Sequence, residues 1–65
     1  MFIVDYTPRS LLKKLKDAGY VEVRINGSHH VLRKDGHMLI TVPVHGNKDI
    51  PKGTYEKILK DAGLK

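Results

Sequence analysis

Two turn signals in the middle of this chain constrain its fold more than any other feature. Asn26-Gly27 and Asp35-Gly36 are dipeptides that strongly favour tight β-hairpin turns. The segment before the first of them alternates strictly between apolar and polar residues, which is typical of a half-buried strand. The pattern predicts a three-stranded antiparallel meander with strands at residues 20–25, 28–34 and 37–42.

A five-residue repeat indicates two helices that flank these strands. Leu-Lys-Asp-Ala-Gly occurs at residues 15–19 and again at residues 59–63, and glycine is preferred just after a helix C-terminus. Apolar residues at helical spacing lead into each repeat, and Thr7 and Thr54 are good N-caps. We predict helices at residues 8–18 and 55–62. The resulting order, α-β-β-β-α, is an α+β fold with both helices on one face of the sheet.

The turns also predict which side chains line each face of the sheet. With two-residue turns at both sites, Arg24 and Val42 lie directly across from His29 on its two neighbouring strands. A slip of one residue at either turn would exchange the two faces. The core face then holds Val21, Val23, Ile25, Leu32 and Leu39. The open face holds Tyr20, Glu22, Arg24, His29, Val31, Arg33, Met38, Ile40 and Val42.

Length and composition limit the class of protein. The chain has 65 residues and no cysteine, so we expect one small domain over residues 1–65 without disulfides. It has no apolar run long enough to span a membrane and no basic signal-peptide segment, which favours a cytoplasmic protein. Twelve Lys and Arg against seven Asp and Glu give a net charge of +5, which indicates a polyanionic partner, nucleic acid first. The alternative is a soluble basic domain without such a partner.

The histidines are the polar residues with the most chemical meaning. His29 and His30 are adjacent, so they point to opposite faces of a strand, with His30 hydrogen-bonded at the edge of the core. On the open face, the imidazole of His29 can exchange a proton near neutral pH while Arg24 holds a phosphate. This pair suits attack of an RNA 2′-hydroxyl on its own phosphate, a reaction that needs no metal. The alternative is phosphate binding without chemistry.

Three further polar arrangements in the sequence have ordinary structural roles as alternatives. The segment Lys52-Gly53-Thr54 opens the second helix, where free backbone N–H groups favour an anion, although an ordinary N-cap has the same sequence. A zinc site formed by three of the four histidines, at positions 29, 37 and 45, is a weaker alternative. A nucleophile made of Ser28 and the following histidine is excluded, because adjacent strand residues point apart.

Four short motifs follow one another along the chain. They are Gly27-Ser28-His29-His30, Thr41-Val42-Pro43-Val44-His45, Pro51-Lys52-Gly53-Thr54 and Ile58-Leu59-Lys60-Asp61-Ala62-Gly63-Leu64. In this order they resemble the motifs of the HicA toxins of HicA–HicB toxin–antitoxin systems. The resemblance runs over residues 10–64, and it implies the fold of a double-stranded-RNA-binding domain, which agrees with the predicted order of elements.

The resemblance implies an mRNA interferase, a small ribonuclease that cleaves transcripts. Its catalytic residue corresponds to His29, and Gly27 is the glycine of the same motif. A HicB antitoxin that masks the active site is implied as the partner. The resemblance leaves the second acid or base open, with His45 and the lysines as candidates. We expect neither a cofactor nor a metal.

The sequence therefore predicts an RNA-cleaving toxin, with a non-catalytic RNA-binding module on the same fold as the alternative. We expect the antitoxin to cover apolar side chains of the open face, since a soluble monomer seldom exposes such a set. The predicted RNA contacts are Arg24, Gly27, Lys52 and Gly53, and the predicted antitoxin contacts are Val31, Met38, Ile40 and Val42.

Overall fold

The computed structural model describes residues 5–46 and 48–65. It contains a helix, three strands and a second helix, so the predicted order α-β-β-β-α is confirmed. None of the described helices is long and apolar enough to cross a membrane. The elements are α1 (Pro8–Asp17), β1 (Val21–Asn26), β2 (His29–Arg33), β3 (Ile40–Pro43) and α2 (Lys52–Asp61).

The first helix begins and the two helices end as the sequence indicates. The Thr7 side chain accepts a hydrogen bond of 3.2 Å from the backbone N–H of Ser10, and Pro8 occupies the first turn of α1. The start of α2 was predicted wrongly. This helix begins at Lys52 after the N-cap residue Pro51, so Thr54 lies inside it and does not cap it.

The repeated Leu-Lys-Asp-Ala-Gly segment forms the same C-terminal cap at both helices. The backbone N–H of Tyr20 donates to the carbonyl of Leu15 and that of Gly19 to Lys16, which is the Schellman pattern. The equivalent bonds close α2, where Leu64 and Gly63 donate to carbonyls of the last turn. Both glycines have positive φ, 101° at Gly19 and 75° at Gly63, as this cap requires.

The sheet is antiparallel with the order β1-β2-β3, but its register differs from the predicted one. Asn26 pairs with His29, so the first turn is Gly27-Ser28 rather than Asn26-Gly27. A β-bulge between Glu22 and Arg24 then shifts the remaining pairs of β1 by one residue. The connection from β2 to β3 occupies residues 34–39 instead of a two-residue turn.

These changes exchange the sheet face of several predicted residues. Leu32 pairs with Ile40 and His30 with Val42, one residue away from the predicted register of β3. Because a one-residue slip turns a strand over, Ile40 and Val42 face the helices, and this arrangement buries two β-branched side chains. The prediction of these two residues on the open face is therefore wrong.

The hydrophobic core lies between the helices and one face of the sheet, as predicted. Of the five residues expected on the core face, only Leu32 is buried, because the bulge and the longer connection leave the other four exposed. Tyr20, expected on the open face, is buried just before β1. The buried apolar side chains are Leu11, Leu15, Tyr20, Leu32, Ile40, Val42, Ile50, Tyr55, Ile58 and Ala62.

Candidate functional site

His29 is the first residue of β2, and its exposed side chain points away from the helices. Its neighbours in the pairing are Asn26 on β1 and Pro43 on β3. The tight turn before it depends on Gly27, whose φ of +61° favours glycine. The carbonyl of Ser28 accepts a 2.6 Å hydrogen bond from the backbone N–H of Val44, which extends the pairing beyond β3. His29 therefore stands on a backbone that is fixed on both sides.

Arg24 shares the open face with His29, but it is not directly opposite, as the sequence predicted. Arg24 pairs with Val31, and Val31 lies two residues along β2 from His29, so all three side chains point to the same face. Arg24 is thus the diagonal neighbour of His29, and diagonal residues of paired strands lie about 7–8 Å apart, which a long side chain spans easily. Both side chains are exposed, so a phosphate group can reach them together.

His30 points to the opposite face and makes the closest polar contact between side chains near the site. Its Nδ1 lies 2.7 Å from Oε2 of Glu22, and both side chains are partly buried. The expected place of His30 at the edge of the core is confirmed. Glu22 was expected on the open face, and that prediction is wrong because the bulge turns this residue towards the helices. The bond joins the two strands on the helix side of the bulge.

The first turn of α2 keeps the features of an anion site. Lys52 and Gly53 are exposed, and the N-cap residue Pro51 makes no side-chain bond to the free N–H groups there. Further along α2, Glu56 accepts a 2.9 Å hydrogen bond from Lys65 of the C-terminal segment, and this bond and the positive charge of Lys65 lower the pKa of Glu56. Among the described residues, no hydrogen bond or ion pair joins this turn to His29.

The other histidines lie at different ends of the sheet. His45 is exposed and follows Val44, so it lies at the same end as His29, two residues beyond Pro43. His37 lies in the connection between β2 and β3, where its ring centroid is 6.1 Å from that of Tyr20. Within the described ranges, no three His, Asp or Glu side chains are close enough to hold a metal ion. The alternative of a zinc site from His29, His37 and His45 is therefore not formed.

The four predicted antitoxin contacts fall into two groups. Val31 is half-buried on the open face and Met38 is exposed in the connection before β3. Ile40 and Val42 are only 4% and 0% exposed, so they cannot form a contact surface on the folded protein. Sequence reasoning missed Asn26 and Pro43, which flank His29, because it used the wrong residues for the first turn and the wrong length for the second connection.

Comparison with known proteins assigns the family. The sequence model of the HicA toxin of bacterial toxin–antitoxin systems matches residues 8–64. The structure is similar to a chain of a toxin–antitoxin complex from Streptococcus pneumoniae, with 32% sequence identity and a TM-score of 0.79. That match covers 91% of this chain and 98% of the other. A search of curated proteins found no match.

The fold and the site define a small basic α+β domain with an exposed histidine at the end of its central strand. The chain belongs to the HicA toxin family.

Proposed function

We propose that this protein is a metal-independent endoribonuclease toxin that cleaves mRNA in the cytoplasm and is held inactive by a HicB-type antitoxin. The observation that carries the proposal is the exposed His29 in its Gly-Ser-His motif, on the open face of a HicA-family chain. Arg24 on the same face and the net charge of +5 support a phosphate-rich substrate. The Streptococcus pneumoniae neighbour, which comes from a toxin–antitoxin complex, supports the antitoxin partner.

The proposed reaction uses the 2′-hydroxyl of the RNA itself as the nucleophile. This oxygen forms a bond to the adjacent phosphorus, and the bond from phosphorus to the 5′-oxygen of the next nucleotide breaks. A base removes the proton of the 2′-hydroxyl and an acid protonates the leaving 5′-oxygen, so the products are a 2′,3′-cyclic phosphate and a 5′-hydroxyl. His29 carries one of these proton transfers, and His45 at the same end of the sheet is the candidate for the other.

Arg24 supplies electrostatic stabilisation in this scheme. Its guanidinium reaches diagonally across the open face to the phosphate that His29 contacts, and it offsets the charge that grows on the phosphate oxygens. Gly27 supplies the positive φ that the turn before His29 requires, and the space beside it is open, since nothing lies within 4 Å of the position that a Cβ would take there. Lys52 and Gly53 in the first turn of α2 provide a second contact to the RNA backbone.

Replacement of His29 by alanine tests the catalytic role. We expect the cleavage rate to fall by about 10²–10⁴, because one proton-transfer group is lost. The stability should change by less than about 0.5 kcal/mol, since the side chain is exposed. His37→Ala is the matched control, because it removes an exposed histidine at the other end of the sheet. Cleavage of a defined RNA and thermal melting of both variants are the measurements, and an active His29→Ala protein would contradict the proposal.

Chelation tests the metal-independent mechanism. We expect cleavage to continue at the same rate in excess EDTA, because the proposed proton transfers and charge stabilisation use only protein side chains. The products should end in a 2′,3′-cyclic phosphate, which mass spectrometry of a short RNA resolves. Loss of activity in EDTA that is restored by a divalent cation would show that another mechanism operates.

The alternative function is an RNA-binding module without catalysis. The basic composition and the exposed Arg24 are sufficient for it, and it predicts RNA binding without strand scission. The same cleavage assay separates the two functions. A wild-type protein that binds the RNA and leaves it intact, while His29→Ala weakens binding, would favour the module.

A further inference from the structure

β1 is the least covered element of this fold, although three of its six residues are apolar and β-branched. Val21, Val23 and Ile25 are 62%, 54% and 58% exposed. In the described part of the chain β1 pairs only with β2, while both helices pack against β3 at the other edge of the sheet. Soluble proteins seldom leave an apolar edge strand bare, because it offers unpaired backbone groups to other chains.

The exposed edge of β1 leads directly to the candidate catalytic residue. Arg24, Ile25 and Asn26 form an unbroken stretch of pairs with β2, and the last of these pairs joins Asn26 to His29. A chain that lies along the outer edge of β1 would therefore end level with His29, about 10 Å away, with β1 between them. Its side chains on the open face would obstruct the approach of RNA to Arg24 and His29 without any change in the toxin.

The bulge limits what can pair with this edge. It interrupts β1 between Glu22 and Arg24 and leaves the regular stretch only from Arg24 to Asn26. Bulges on edge strands work against long, indiscriminate pairing between sheets. The edge therefore fits a short and specific segment better than a long flat strand.

The edge of β1 could pair with a second copy of this chain or with a segment of another protein, and the charge of this surface favours one of them. Arg24 lies within the strand, and Arg33 lies across from Val21 at its other end. A second copy of this chain would bring its own +5 charge to the same surface, whereas an acidic segment would neutralise Arg24; Arg33 already lies 3.7 Å from Asp35.

We propose that a short, extended and acidic segment of the antitoxin adds to the outer edge of β1 as a fourth strand and covers Val23 and Ile25. This inference rests on the antitoxin partner of the proposed function, and it adds the docking surface and the mode of binding. Backbone hydrogen bonds to the edge would supply affinity, and the exposed apolar side chains and Arg24 would supply specificity.

A charge placed on the exposed edge of β1 tests the docking surface. The probe is the cognate antitoxin, purified after co-expression with this chain, and the variant is Val23→Lys. We expect the antitoxin to bind this variant at least about tenfold more weakly, because a charged lysine replaces an apolar contact that the added strand would bury. Leu64→Lys, at a position 42% exposed near the C-terminus, is the matched control and should bind like wild type. Val23→Lys should still cleave RNA when free, so its outcome is separate from that of the catalytic proposal.

Hydrogen exchange of the wild-type complex tests the mode of binding without any substitution. We expect the amides of residues 23–26 that point away from β2 to exchange at least about tenfold more slowly in the complex than in the free toxin. Any one of three results would overturn the inference. These are unchanged exchange at these amides, unchanged affinity of Val23→Lys for the antitoxin, and failure of the two proteins to associate. A dimer of the free toxin that Val23→Lys abolishes would identify a second copy as the occupant, and would overturn it as well.

Discussion

At the scale of single residues, His29 and His30 have opposite surroundings although they are neighbours in the chain. The side chain of His29 is exposed on the open face, whereas His30 lies on the helix side and contacts Glu22 at 2.7 Å. We infer a chemical role for His29 and a structural role for His30, which joins β1 and β2 beside the bulge. The two roles predict opposite effects of the same substitution.

His30→Ala should therefore lower stability and preserve catalysis. The carboxylate of Glu22, which is partly buried, would lose its side-chain partner, at a cost of about 1 kcal/mol. Because His30 points away from the open face, cleavage should stay within about a factor of three of wild type under conditions where the variant is folded. Urea unfolding and RNA cleavage of His29→Ala and His30→Ala, measured side by side, check this. A stable but inactive His30→Ala protein would show that His30, and not His29, has the chemical role.

The sequence predicted this contrast only in part. Adjacent strand residues point to opposite faces, so the separation of His29 from His30 follows from their positions alone. The partner of His30 could not be predicted, because Glu22 reaches the helix side only through the bulge. The alternation of residues around Val23 is regular, and nothing in it marks an extra residue.

At the scale of helices and strands, local signals predicted the C-terminal caps of both helices well and the register of the sheet poorly. The Schellman caps at Gly19 and Gly63 depend on a few adjacent residues, and both were predicted. The start of α2 was missed because Thr54 resembles an N-cap, whereas the helix begins after Pro51. The register of β3 depends on burial of Ile40 and Val42 against both helices, which is a tertiary effect and not a local one.

Two glycines of α2 and its cap should respond to alanine with opposite signs. Gly63 has a φ of 75° and open space around it, so alanine there adds backbone strain and should destabilise the protein by about 1 kcal/mol. Gly53 lies inside the helix without positive φ, and alanine there should stabilise it by roughly 0.5–1 kcal/mol. Thermal or urea unfolding measures both. A destabilised Gly53→Ala protein would contradict the assigned start of α2.

At the scale of the whole molecule, the fold places the hydrophobic core on one face of the sheet and the candidate site on the open face. Both helices cover one face of the sheet, and the other face presents His29, Arg24 and Arg33 on a chain with a net charge of +5. The charge balance predicted a polyanionic partner from composition alone. The composition could not indicate which basic residues contact that partner, because this depends on the register of the strands.

Salt dependence of RNA binding should distinguish the basic residues of the site from the others. Arg24→Ala should flatten the slope of log K against log salt by about 0.7, which corresponds to one phosphate contact with single-stranded RNA. Lys57→Ala is the matched control, because it removes one positive charge near the start of β3, away from His29, where Lys57 lies 3.8 Å from Asp61. The two variants have the same net charge, so a general effect of charge would change both slopes equally.

Equal slopes for Arg24→Ala and wild type would show that Arg24 does not contact the bound RNA, and the diagonal pair with His29 would then lose its proposed role. A non-cleaving background, such as His29→Ala, keeps the RNA intact while binding is measured.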